Sequence, residues 1–169
     1  MIDSFRGDNA FLSNFFEAPV RYDGRQYGNS ESAYQAAKFK SPEHDPIREQ
    51  FETTTGKEAK QLVKRYQIAF RRVDWKQVNL AIMAEIVHAK FTQNKTIRLQ
   101  LVNSFPHDII ECNTWHDYWW GICKGTGKNW LGRILMAERM YWIDLMAHRS
   151  WESDDQKNLG VVALVQSAA

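Results

Sequence analysis

The chain has 169 residues, of which 44% are hydrophobic and 25% charged, and its formal net charge is +2. That balance sets aside a disordered chain and fits one domain with a full-sized core, while the charge is too small to mark a nucleic-acid binder by itself. The two cysteines, Cys112 and Cys123, do not make a disulfide scaffold. The start, Met1-Ile2-Asp3-Ser4-Phe5-Arg6, lacks a secretory pattern, and no apolar run is long enough to span a bilayer. A cytoplasmic location with no membrane contact is expected.

In chain order, Ala18 to Tyr27 reads as a hairpin turning at Asp23-Gly24. Asn29 or Ser30 caps a helix to about Lys40, and Ser41-Pro42 starts another with proline at its first position. Thr55 with Glu58, and Asp74 with Gln77, have capping-box spacing. Trp75 to Phe91 reads as the central core helix, with Trp75, Val78, Ile82, Ile86 and Ala89 on one face. A shorter helix follows Asn94, then a buried strand over Asp108 to Cys112 and a loop over Trp115 to Lys128. Asn129 to about Arg149 reads as the last long helix, with Leu131, Leu135, Met136 and Met140 facing inward. Val161 to Val165 forms either an added strand or an apolar plug. Few strands among many helices predict an α+β fold: one compact, helix-rich domain with a small antiparallel sheet, over residues 1–150, and a C-terminal extension over 151–169.

Glu31, Gln35 and Lys38 are spaced by four and three residues and share one helical face, with Tyr34 beside them. The helix dipole at Glu31 favours the ionised form, which suits a base or a charge stabiliser. A second cluster holds Glu111, His116, Asp117, Trp119, Trp120 and Gly121. Either its indoles stack on a base, an interaction of about 1–3 kcal/mol per base, or they plug the core while Asp117 caps the turn. A third, Gly125-Thr126-Gly127-Lys128-Asn129, either cradles a phosphate at a helix start or is a turn with Asn129 as cap. It is not a Walker A loop, because Ile122 stands where that motif needs glycine. His44, His88, His107, His116 and His148 have no ligand spacing with the cysteines, so no metal is expected. Lys57, Lys60, Lys64, Arg65, Arg71 and Arg72 form either a solvated basic face or a phosphate contact.

These stretches, taken in order, resemble the NADAR (YbiA-like) family. The matching residues are Phe11-Leu12-Ser13-Asn14-Phe15-Phe16, Ser30 through Phe39, Lys90-Phe91-Thr92-Gln93-Asn94, Glu111, Asp117-Tyr118-Trp119-Trp120-Gly121 and Gly127 through Gly132. The chain departs from the family at Ser32, where His or a similar residue is common, and in the loop after Gly121. The resemblance implies a helix-rich α+β fold and an N-glycosidase acting on a ribosyl compound. The substrate is either a phosphoribosylamino(pyrimidine) intermediate of riboflavin synthesis or ADP-ribose attached to guanine, with nucleic-acid contact in the second case. A non-catalytic module that binds NAD or ADP-ribose is the rival reading. No cofactor is implied, and the sequence carries no signal for self-association. The carry-over makes Glu31, Asp117 and Lys38 the catalytic candidates. Glu31 stabilises an oxocarbenium-like charge or activates water, and Asp117 orients hydroxyls or protonates the leaving base. Lys38 pairs with phosphate or forms a Schiff base. Asn14, Tyr34, Gln35, Trp119, Trp120, Gly121, Lys128 and Asn129 are the expected substrate-binding residues.

Overall fold

A computed structural model describes residues 1–66 and 70–166, with side chains as far as residue 148. A 3-10 turn over Gly7–Leu12 leads to strands β1 (Glu17–Tyr22) and β2 (Arg25–Asn29). Asp23 and Gly24 both take positive φ, 48° and 78°, as a two-residue hairpin turn requires. Val20 faces Tyr27 across the hairpin, and both are buried. The other side of the hairpin is clasped by α4 (Trp75–Gln93), whose Gln93 accepts from the Arg21 N–H at 2.7 Å and donates to the Arg21 carbonyl at 3.0 Å.

Helix α1 spans Ser30–Ala36, and every one of its residues is buried. Asn29, not Ser30, is the cap: its side chain accepts from the Ser32 N–H at 2.9 Å. The helix stops short of the expected Lys40, and Lys38 and Phe39 follow in a turn bonded to the Gln35 and Ala36 carbonyls. The next helix, α2 (Asp45–Glu49), begins later than Ser41-Pro42 predicts, because 41–44 fold as a turn and Pro46 occupies the first helical turn instead. Arg48, fully buried, joins α2 to the hairpin through Asp23 and pairs with Asp45 of its own helix. Helix α3 (Gly56–Leu62) opens on the expected capping box of Thr55 and Glu58. The same pattern at Asp74 makes no cap, since both of its carboxylate oxygens are held by Arg72 at 2.7 and 2.9 Å.

In α4, Ile82, Met83, Ile86, Val87 and Phe91 form the core face, with Trp75, Val78 and Ala89 half-buried at its margin. Lys90 is also fully buried, donating to the Phe11 carbonyl at 2.6 Å and the Ser13 carbonyl at 2.8 Å. It pins the N-terminal segment to the core. Burial pushes its amine down to about 7. The unfolded chain holds that proton up to the ordinary lysine range, so the stability linked to this group rises with pH above about 7. Lys90→Met is expected to destabilise the fold by about 2–3 kcal/mol in urea unfolding, because two buried carbonyls lose their donor.

Helix α5 (Lys95–Asn103) leads into residues 108–113. The expected strand there is mostly a single bridge between Ile109 and Ile2; only β3 (Cys112–Asn113) forms a ladder. It lies parallel to β4 (Ile122–Cys123), which pairs antiparallel with β5 (Thr126–Gly127). The fold is α+β, as expected, but a second, mixed sheet joins the antiparallel hairpin. Helix α6 runs Trp130–Gln166, well past Arg149. Val161 to Val165 are therefore helical, not a strand, and whether they form an apolar plug lies outside the described side chains. Leu131 and Leu135 are buried and Met136 half-buried, but Met140 is exposed. The helical period turns Glu138, Arg139 and Trp142 inward instead. No helix among the described residues is long and apolar enough to cross a membrane.

Candidate active site

One cavity of about 700 Å³ opens between α1, α4, the N-terminal segment and the 111–120 loop. Glu31, Tyr34 and Gln35 line it from α1, Lys38 from the turn after it, and Asn14, Glu111, Asp117 and Trp120 from the facing segments. The acidic-to-basic stripe early in the chain and the tryptophan loop late in it thus share one space. Tyr34 joins them: its ring lies 5.5 Å from Trp120, edge-on at 87°, and 5.0 Å from Trp75. Asn14 docks the N-terminal segment, its carbonyl accepting from the Glu31 N–H at 2.9 Å and its amide donating to Met83 Sδ at 3.3 Å.

The α1 stripe is a chain of hydrogen bonds. Lys38 Nζ donates to Gln35 Oε1 at 2.5 Å, and Gln35 Nε2 donates to Glu31 Oε1 at 2.6 Å. The helix dipole is not what governs Glu31. Burial pushes its carboxyl up, against the amide of Gln35 and the charges of Lys60 and Lys38, and Asp117 adds to the rise. Lys38 is pushed down to about 8, first by burial and then by Arg71.

Glu111 is pushed up to about 7, mainly by burial, with Asp117 and Glu31 adding repulsion. Its Oε2 is buried without a hydrogen-bond partner among the described residues. Asp117 is differently held: its Oδ1 accepts from the N–H groups of Trp119 at 3.1 Å and Trp120 at 2.8 Å. It therefore caps the turn and lines the cavity at once. The carboxyls of Glu31, Glu111 and Asp117 influence one another across a single space, yet each has a different environment.

Four expected binding residues do not line the cavity. The Trp119 ring is exposed and packs 6.1 Å from Trp130. Gly121 lies under the Glu111 carbonyl so closely that a Cβ would meet that oxygen at 2.1 Å. Lys128 is exposed and its N–H is taken by the Tyr118 carbonyl at 2.8 Å. Asn129, at φ 51°, uses its side chain as a clamp: Oδ1 accepts from the Glu111 N–H at 3.0 Å and Nδ2 donates to the Ile109 carbonyl at 2.9 Å. The glycine-rich stretch is thus a strand and tight turn off the cavity wall, with the Lys128 and Asn129 amides paired to the Tyr118 and Gly121 carbonyls. Asn129→Ala is expected to lower kcat by about tenfold or more with KM little changed, because the 109–111 segment carrying Glu111 loses both side-chain bonds; steady-state kinetics check it. Ser32, where the chain departs from the family pattern, bonds Asn29 and Thr54 and is not on the cavity wall.

Lys60 and Trp75 also line the cavity. Lys60 belongs to the basic stretch, whose sequence could not separate a solvated face from a ligand contact. Trp75 begins the core helix, and its indole signals packing and ligand contact alike. Among the described residues, no three His, Cys, Asp or Glu side chains gather as a metal site.

Known proteins are similar to this chain in sequence and in fold. The chain is 31% identical to N-glycosidase YbiA of Escherichia coli (strain K12) over 133 residues, 78% of this chain and 81% of that protein. It is 33% identical to a riboflavin biosynthesis protein of Vibrio vulnificus (strain YJ016) over 135 residues, 78% of this chain. The matched part is 35% of that longer protein's length. The NMR structure of Escherichia coli YbiA superposes with a TM-score of 0.73 at 28% sequence identity, covering 87% of this chain and 89% of the other. The NADAR domain profile matches residues 4–141, which include every cavity-lining residue from Ser4 to Leu131, and the chain belongs to the NADAR family.

Proposed function

We propose that the protein is an N-glycosidase that hydrolyses the C1′–N bond of a ribosyl compound. The observation that carries this reading is the set of unlike carboxyls in one cavity, one held in a hydrogen-bonded chain and one pushed up to about 7 with a bare oxygen. Relatives named as N-glycosidases in Escherichia coli and Nostoc punctiforme support the same reaction class.

The chemistry follows from the environments. As the C1′–N bond breaks, its electron pair goes to the leaving nitrogen, and Glu111 gives that nitrogen a proton. The ribose ring gains positive charge, which Glu31 stabilises strongly because little water screens it. Water adds at C1′ and gives its proton to Glu31. Asp117, with Oδ1 fixed by two amides, presents Oδ2 to the ribose hydroxyls. Trp120, Tyr34 and Trp75 supply flat faces for base or ribose.

A phosphoribosylamino(pyrimidine) is the substrate this reading favours, because a cavity of about 700 Å³ suits a mononucleotide-sized ligand. ADP-ribose on guanine in a nucleic acid is the second reading. It is favoured by the exposed Trp115 and the exposed Lys60, both on the cavity wall, where a longer leaving group would emerge. Incubation with each substrate in parallel, followed by mass spectrometry, is expected to show base or amine released from the small one. Tight binding with release from neither substrate would instead mark a non-catalytic reader.

A further inference from the structure

Arg71 has no carboxylate partner among the described residues, although acids are close by in the chain. Asp74 is occupied on both oxygens by Arg72. Arg71 Nε is buried and has no hydrogen-bond partner. The segment is held against the cavity wall by the Arg72 N–H, which donates to the Lys38 carbonyl at 2.8 Å. Among the described residues the Lys38 amine hydrogen-bonds a neutral group alone, the Gln35 amide. The Lys38 amine feels Arg71 more strongly than it feels Glu31, and Lys60 repels it as well. Cations gathered at a partly buried place with no anion in direct contact destabilise one another, and a ligand's negative charge relieves that repulsion.

We propose that Lys38 and Arg71 form an anion subsite for a phosphate on C5′ of the substrate's ribose, with Lys38 in contact from the cavity wall and Arg71 supplying the second charge. The proposal deepens the N-glycosidase reading and takes from it the placement of C1′ at Glu31. The spacing is consistent: one amide and two hydrogen bonds separate Lys38 Nζ from the Glu31 carboxylate, comparable to the reach from a C5′ phosphate across the ribose to C1′. A guanidinium and an ammonium together suit a phosphate, which offers several acceptor oxygens. The subsite orients the substrate: phosphate at the Trp75 end, leaving group toward Glu111 and Trp115.

Calorimetry on the whole chain with ribose 5-phosphate, ADP-ribose and unphosphorylated ribose tests this. Arg71→Ala is expected to weaken the phosphorylated ligands by about tenfold or more while leaving ribose unchanged. Arg71→Lys, which keeps the charge, is expected to restore most of the affinity. The tighter of the two phosphorylated ligands tells whether the phosphate is a terminal monoester or the first of a pyrophosphate. Unchanged affinity for both in Arg71→Ala overturns the proposal, as does an equal loss for ribose, which would mark a structural role. Binding is read here without turnover. If no substrate releases its base, the hydrolase reading ends and the subsite stands.

Discussion

Glu31→Gln is expected to lower kcat by about a thousandfold, with KM within a few-fold of the parent. The amide keeps the shape and still accepts from Gln35 Nε2, so the hydrogen-bonded chain to Lys38 survives. What disappears is the negative charge, which the ground state does not need and a cationic ribose does. The folded state should gain, not lose. Burial pushes the Glu31 carboxyl up, so the native protein bears a penalty for its charge that glutamine removes. A raised or unchanged melting temperature together with a collapsed kcat is the expected signature. Full activity in this variant would show that the charge has no part in the reaction.

Glu111→Gln is expected to lower kcat by about 10²- to 10⁴-fold and to change its pH dependence. In the parent, the proton donor is present below about 7 and is lost above it, so kcat/KM should fall on the alkaline side. The variant should lack that limb, because glutamine does not titrate. A matching limb in the variant would place the titration on another group. Stability supplies a second check. The folded Glu111 carboxyl holds its proton to about 7, whereas an unfolded glutamate releases it near its ordinary value of 4.5. The folded state therefore binds more protons in that interval, and stability falls as pH rises from about 4.5 to 7. Replacing Glu111 with glutamine should flatten this fall in denaturant titrations across the window.

Both predictions depend on unlike environments for like groups. Glu31 lies on a wholly buried helix with an amide donor at one oxygen, and Glu111 lies just before β3 in a segment clamped by Asn129, with one oxygen unpaired among the described residues. The three-stranded sheet and the helix-start asparagine look peripheral to the chemistry. Their effect is to aim Glu111 and to set its distance from Asp117 and Glu31.

Several parts of this arrangement were legible from residue order alone. The Asp23-Gly24 turn, the Thr55–Glu58 capping box and the Glu31–Gln35–Lys38 stripe are local devices, governed by backbone dihedrals and by side chains three or four residues apart. Tertiary packing preserves such devices because they are already satisfied within one turn. The capping pattern at Asp74 shows the limit: a better partner two residues away, Arg72, took the carboxylate. Asn129, Lys128 and Gly121 were read as ligand contacts, yet the fold uses them to close backbone bonds. Their residue types suit either task, and spacing does not separate the two.

By itself, the sequence determined the α+β class and the composition of one cavity wall, because both follow from short-range periodicity and turn chemistry, and its ordered motifs carried the likeness to the family. Only the tertiary structure decided that Glu111 and Lys60 join that wall, that Lys90 is spent on pinning the N-terminal segment, and that Arg71 acts on Lys38 with its Nε unpaired among the described residues. The reason is dielectric and geometric. Whether a charged side chain is solvated, paired or exposed to a ligand depends on which distant segments exclude water from it, and that information does not exist until the chain has folded.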